Sequence, residues 1–187
     1  VSSFAIYKMN ITIMTTKNID FFDYPALFLH RRQEYINTLT DVLSRGAYIM
    51  QQDLFDFEQN LQKYLGVKHI IGVADGTMAL IISLMAAGIS KNDEVIVPAH
   101  TFIASAAAIY HVGANPILVD CAEDHLIDSN AIQKAITNKT KAIMPVQLNG
   151  RVAKMNPIKK KAEENNLLII EDSCQALGAK YKDQYAG

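Results

Sequence analysis

Two carboxylates and an amide close the segment LLIIEDSCQALGA, residues 167–179: Glu171, Asp172 and Gln175 follow the apolar run Leu167-Leu168-Ile169-Ile170. Four apolar residues in succession predict a strand buried on both faces, as in a parallel sheet covered by helices. Open α/β sheets gather their ligands outside the C-terminal ends of such strands. An acid held there brings a permanent negative charge to a pocket, which suits a pyridine nitrogen that must stay protonated. The same acid in the same place also suits a plain helix cap, and the segment alone leaves both readings open.

A second group with chemical potential is Asp75-Gly76-Thr77, between the apolar stretch HIIGVA and a helical pattern beginning at Met78. A glycine admits close approach of a ligand to the backbone, the first amides of a helix lack partners, and the Thr77 hydroxyl adds a donor. That is a phosphate-binding geometry, although Asp75 or Thr77 as a simple N-cap accounts for the same residues. Neither GxGxxG nor Gly-Lys-Ser/Thr occurs here. Phe102, in Pro98-Ala99-His100-Thr101-Phe102, stands where an aromatic ring can cover a planar cofactor or simply fill core. His100 receives no role. Asp120-Cys121 and Gln147-Leu148-Asn149-Gly150 end two further strands, with polar groups expected at the same sheet edge; Asn149-Gly150 is also a turn signal.

These groups need a scaffold that brings them together. Apolar residues at helical spacing predict a helix over 25–45, stopped by Gly46, and a second from Asp53 to Tyr64, closed by Gly66. From there five short apolar stretches, His69–Ala74, Glu94–Pro98, Pro116–Asp120, Ala142–Gln147 and Leu167–Asp172, read as strands. They alternate with helices at Thr77–Ala87, Ala104–His111, Ser129–Ile136 and Pro157–Asn165. Such alternation predicts an α/β fold, a mostly parallel sheet wound by helices. Three segments are expected: an unassigned tail at 1–18, a helical arm at 19–66, and a cofactor-binding large domain over 67–187.

Composition narrows the classes. The chain has 187 residues, half of them hydrophobic, enough for a sizeable core. Lys+Arg 18 against Asp+Glu 19 provides no field for nucleic acid or an anionic membrane, and no apolar stretch approaches a membrane span. Lys159-Lys160-Lys161 lies beside Glu163 and Glu164 and reads as a solvated helix face. Cys121 and Cys174 lack metal-ligand spacing and read as reduced thiols of a cytoplasmic protein; no metal site is expected.

A phosphate loop, an aromatic and an acid converging on one sheet edge match the handles of pyridoxal 5′-phosphate: a phosphate, a ring and a ring nitrogen. A nicotinamide or flavin oxidoreductase is disfavoured by the missing glycine fingerprint and by Pro98, which ends the second strand where a ribose-binding acid belongs. The order of motifs resembles the DegT/DnrJ/EryC1/StrS family of sugar aminotransferases, whose fold is that of aspartate aminotransferase. The likeness runs through IDFFDY, GAYIMQQDLFDFEQNLQKYLGVKH, GVADGTMAL, DEVIVPAHTFIASAAAI, GANPILVD, TKAIMPVQLNG and IIEDSCQALGAKYK.

The resemblance implies that Gly76 and Thr77 hold the cofactor phosphate and that Phe102 stacks on one ring face. It puts Cys174 under the other face, where a small residue is usual, Asp172 as the catalytic partner of the pyridine nitrogen, and Gln175 at the ring hydroxyl. It implies transfer of an amino group from an amino acid, glutamate, to a nucleotide-linked keto sugar, in a homodimer. The chain departs from the family pattern at Asp75, Gln51 and Gln147. The family's Schiff-base lysine lies downstream of the matching segment, and Lys180 and Lys182 match ordinary positions. The chain is therefore expected to be the N-terminal part of a longer enzyme, truncated before the small C-terminal domain and inactive alone. A sugar dehydratase of the same family and a non-catalytic binding fragment are the alternatives.

Overall fold

The computed structural model describes residues 19–187; the tail at 1–18 lies outside the described residues. The described residues form two compact units, divided between Gln52 and Asp53. In the first, the helix expected over 25–45 is two: α1 (Tyr24–His30) and α2 (Arg32–Ser44). Asp23 starts α1 by accepting the Ala26 N–H at 2.9 Å, with Pro25 in the first turn. The break is Arg31, whose backbone leaves the helical region at φ −126°, ψ 26°, while its Nε reaches forward to Glu34 in the first turn of α2 at 3.0 Å. Gly46, at φ +65°, ends α2 as a left-handed terminator.

The second unit opens with α3 (Gln52–Leu65). The strand expected at His69–Ala74 is a correction: the segment is unpaired. Among the described residues no strand runs beside it to share a ladder. Side chains of α3 engage it instead, Glu58 accepting the Gly72 N–H at 2.7 Å and Gln62 donating to the Lys68 carbonyl. The apolar pattern supplied a strand's residues without a strand's neighbour.

The remaining elements alternate as expected: α4 (Gly76–Ala86), β1 (Glu94–Pro98), α5 (Ile103–His111), β2 (Asn115–Val119), α6 (Ser129–Ala135), β3 (Thr140–Ile143), a 3₁₀ turn at Leu148–Gly150, α7 (Met155–Glu164), β4 (Leu168–Ile169) and a hairpin of β5 (Lys180–Tyr181) and β6 (Gln184–Tyr185). The four strands of the main sheet are all parallel, in the order β2-β1-β3-β4. This is an α/β fold, a parallel sheet with packed helices. Val95, Ile96 and Val97 in the central strand β1 are fully buried, as a strand covered on both faces requires. Ile96 lies level with Ile117 and Ile143 in the neighbouring strands, and Leu84, Ile109, Ile132 and Ile158 from four helices complete the core.

At its other edge the sheet is looser than the apolar runs suggest. Leu167–Ile170 is not buried on both faces: β4 is an edge strand, and Leu168 is half-exposed. The ladder between β3 and β4 also skips a rung. Ile170 donates to the Ile143 carbonyl at 3.1 Å, Asp172 to Pro145 at 3.0 Å and Gln147 to Asp172 at 2.9 Å. The missing bond is the one residue 145 should give to Ile170, because proline has no N–H.

Gln147 is a further correction. Its polar group does not face the ligand edge; it is fully buried, accepting from the Ala153 N–H at 2.7 Å and donating to Glu171 at 2.8 Å. Side chains alternate along extended backbone, so with Val146 facing a cavity at that edge, Gln147 turns to the other face. In the whole protein, Gln147→Leu should leave the Ala153 N–H unsatisfied and remove one of the donors to Glu171, at a cost of roughly 1–3 kcal/mol. A urea midpoint unchanged from wild type would contradict this role.

Candidate functional site

A cavity of about 210 Å³ lies where the strands end. Its wall includes Gly76 and Thr77 from the start of α4, Thr101 and Phe102 from the β1–α5 connection, and Val146 beyond β3. Asp172, Cys174 and Gln175, beyond β4, close the ring. The six residues singled out from sequence, far apart in the chain, share this space. Asp120 and Cys121 are not among its lining residues.

One part of the cavity wall is the N-terminus of α4. The Asp75 side chain caps the helix by accepting the Met78 N–H at 2.9 Å, so that amide is taken. No acceptor stands opposite the Gly76 or Thr77 N–H among the described residues. Those two donors and the positive end of an 11-residue helix remain for an anion. Gly76 lets Cys174 approach closely: a Cβ there would come within 2.6 Å of Cys174 Sγ and force that side chain to move. Phe102 is not core, since it is 66% exposed at the rim of the cavity. It precedes α5 as that helix's N-cap and gives no side-chain cap bond, which leaves the ring at the surface.

Asp172, in the same lining, is buried, 7% exposed. Oδ2 accepts from Ser105 Oγ at 2.6 Å, and Oδ1 receives the Cys174 N–H at a long 3.4 Å. Ser105 Oγ lies 2.7 Å from Thr101 Oγ1. Sequence reading missed Ser105. Its signal was there: one hydroxyl in the otherwise apolar stretch IASAAAI, four residues after Thr101, must find a partner if that helix is buried. With a hydroxyl from α5 bound to its side chain, Asp172 is more than a cap for the turn at 173–176.

Cys174 lies close to both Gly76 and Asp172. Burial first, then its hydrogen bond to Asp172 and that carboxylate's charge, push the thiol up to about 11. It is neutral at physiological pH. Gln175 Oε1 accepts from the Asn149 N–H at 3.0 Å. Asn149 adopts the left-handed region at φ 54°, in keeping with the turn expected at Asn149-Gly150. His100 lies outside the cavity lining, its Nδ1 3.4 Å from the His125 carbonyl. Among the described residues no group of three or more His, Cys, Asp or Glu is arranged to hold a metal, and no helix is long and apolar enough to cross a membrane.

The donor set suits one kind of ligand: an anion on the α4 amides, a flat group beside Phe102, and a cation or proton donor at Asp172. Comparison with known proteins agrees with it. The sequence pattern of the DegT/DnrJ/EryC1/StrS aminotransferase family matches residues 30–187. The chain is 38% identical to a dTDP-3-amino-3,4,6-trideoxy-alpha-D-glucose transaminase of Streptomyces venezuelae, covering 92% of this chain and 46% of that protein. It is 44% identical to a GDP-perosamine synthase of Caulobacter vibrioides, over 79% of this chain and 39% of that protein. A crystal structure of the Bacillus subtilis protein NtdA with bound cofactor PMP superposes with a TM-score of 0.80 at 38% identity, covering 84% of this chain and 36% of that one. The chain thus spans less than half the length of each.

The Cys174 environment generates a direct test. With Cys121→Ser to leave one thiol, alkylation by iodoacetamide at pH 8 should run about 100-fold slower than for a thiol of ordinary pKa. The rate should keep rising until about pH 11. A plateau near pH 9 would show that Asp172 and burial do not act on this thiol.

Proposed function

The chain belongs to the DegT/DnrJ/EryC1/StrS aminotransferase family, and we propose that the whole protein transfers an amino group from an amino acid, glutamate, to a keto sugar carried on a nucleotide. Its relatives are sugar aminotransferases, and its cofactor is pyridoxal 5′-phosphate, carried as PMP in a solved neighbour. The observation that carries the proposal is one cavity lined both by the N-terminus of α4, where the Gly76 and Thr77 N–H groups stay open, and by a buried carboxylate. A phosphorylated pyridine ring needs both, and the glycine at position 76 keeps the wall between them clear.

In this reading Gly76 and Thr77 donate their N–H groups to the phosphate, and the Thr77 hydroxyl adds a third donor. Phe102 covers one ring face and excludes water from it; Cys174, neutral, meets the other face without adding charge. Gln175 has its carbonyl oxygen committed to Asn149, so its amide N–H groups turn to the ring hydroxyl. Asp172 holds the proton on the ring nitrogen. When bound, the cofactor supplies an electron sink, and that sink depends on this proton staying in place. Asp172 offers a fixed negative charge that requires no rearrangement as the reaction proceeds. The whole protein is further read as a cytoplasmic homodimer, in keeping with the family resemblance.

Substitution of the carboxylate is the test. In the whole protein Asp172→Ala should lower amino transfer by at least about 1,000-fold, while Asp172→Glu, which keeps the charge but displaces it, should retain a trace. An Asp172→Ala protein with turnover near wild type would reduce this acid to a structural cap and remove the proposal's main support.

A further inference from the structure

We propose that Ser105 is a positioning residue: its hydroxyl, backed by Thr101, fixes the Asp172 carboxylate so that one oxygen faces the cavity. This rests on the reading of Asp172 as the partner of the ring nitrogen.

An ionised carboxylate only accepts, so the 2.6 Å contact between Ser105 Oγ and Asp172 Oδ2 uses the single proton of Ser105. The 2.7 Å contact between Ser105 Oγ and Thr101 Oγ1 must then use the proton of Thr101. The order is fixed: Thr101 donates to Ser105, and Ser105 donates to Asp172. Ser105 is fully buried, so bulk water does not compete for that bond. Hydrogen bonds to a charged acceptor in such surroundings are among the stronger ones.

The consequence is asymmetry between the two oxygens. Oδ2 is held in the protein wall. The Cys174 thiol also hydrogen-bonds the carboxylate; beyond that, Oδ1 has the long 3.4 Å contact from the Cys174 N–H and, as an ionised oxygen, keeps capacity for a further donor. The backbone of Asp172 is held independently by its bonds with Pro145 and Gln147. Ser105 therefore controls what the backbone does not, the rotation of the carboxylate. Without it the carboxylate turns to share both oxygens with solvent in the cavity, and its proton-holding geometry is lost.

The test uses binding, which turnover does not confound. The whole protein, freed of cofactor, is titrated with pyridoxamine 5′-phosphate and with its 1-deaza analogue, in which CH replaces the ring nitrogen. Wild type should prefer the nitrogen-containing ligand. Ser105→Ala, which removes one oxygen atom, should weaken that ligand about tenfold and the analogue less than twofold. Ser105→Thr, which keeps the hydroxyl, should restore most of the preference. Equal loss for both ligands would make Ser105 a packing residue and overturn the proposal. Failure of Ser105→Thr to do better than Ser105→Ala would also overturn it. A wild-type protein that binds the two ligands equally would instead overturn the reading of Asp172, and this inference with it.

Discussion

Asp172 carries a charge into a place where water reaches little of it, and a buried carboxylate without donors costs several kcal/mol. The surrounding elements are arranged to meet that demand. The backbone of residue 172 exchanges hydrogen bonds with Pro145 and Gln147, which ties it to the segment after β3. Its side chain takes the hydroxyl of Ser105 from α5. Gln147, on the opposite face, holds the preceding carboxylate, Glu171, and the Ala153 amide. Two neighbouring acids are thus sent to two faces of one extended segment, one toward the cavity and one away from it.

The other end of the cavity is set by helix geometry. A helix leaves its first amides without partners inside the helix, and at α4 the Asp75 side chain takes only that of Met78. The Gly76 and Thr77 donors stay available because residue 76 has no side chain to fill the space toward Cys174. Phe102 sits between these ends because α5 starts directly after it. Gly76, Thr77, Thr101 and Phe102 stand at the starts of helices, where a packed element sets the backbone direction, while Leu80 inside α4 and Ala104 inside α5 close the apolar part of the wall.

Much of this was legible in the sequence because β1, β2, α4 and α5 are dictated by local pattern: β-branched runs, glycine and acid punctuation, and regular alternation. Gly76, Thr77, Phe102, Asp172 and Gln175, selected by type and position after predicted strands, and Cys174, added by the family resemblance, line one cavity. What was not legible depended on neighbours. His69–Ala74 has the residues of a strand but no partner strand among those described. The helix break at Arg31 interrupts a continuous apolar periodicity. The position of Gln147 after a strand is visible in sequence and points to the ligand edge, whereas the face it takes follows from alternation with Val146, which faces the cavity. Ser105 is inconspicuous as one small residue in an alanine-rich helix, although a buried hydroxyl always needs a partner.

The central claim is that one cavity holds a phosphorylated ring, its phosphate on α4 and its nitrogen on Asp172. The most direct measurement is the affinity of the cofactor-free whole protein for pyridoxal 5′-phosphate and for unphosphorylated pyridoxal, in wild type and in Asp75→Asn. The amide oxygen of asparagine still accepts the Met78 N–H, so the cap survives while a negative charge leaves the start of α4. A charge within several ångströms of the phosphate opposes it by about 1 kcal/mol, so Asp75→Asn should bind pyridoxal 5′-phosphate several-fold more tightly and pyridoxal unchanged. No gain, or an equal gain for both forms, would contradict a phosphate seated at this helix end.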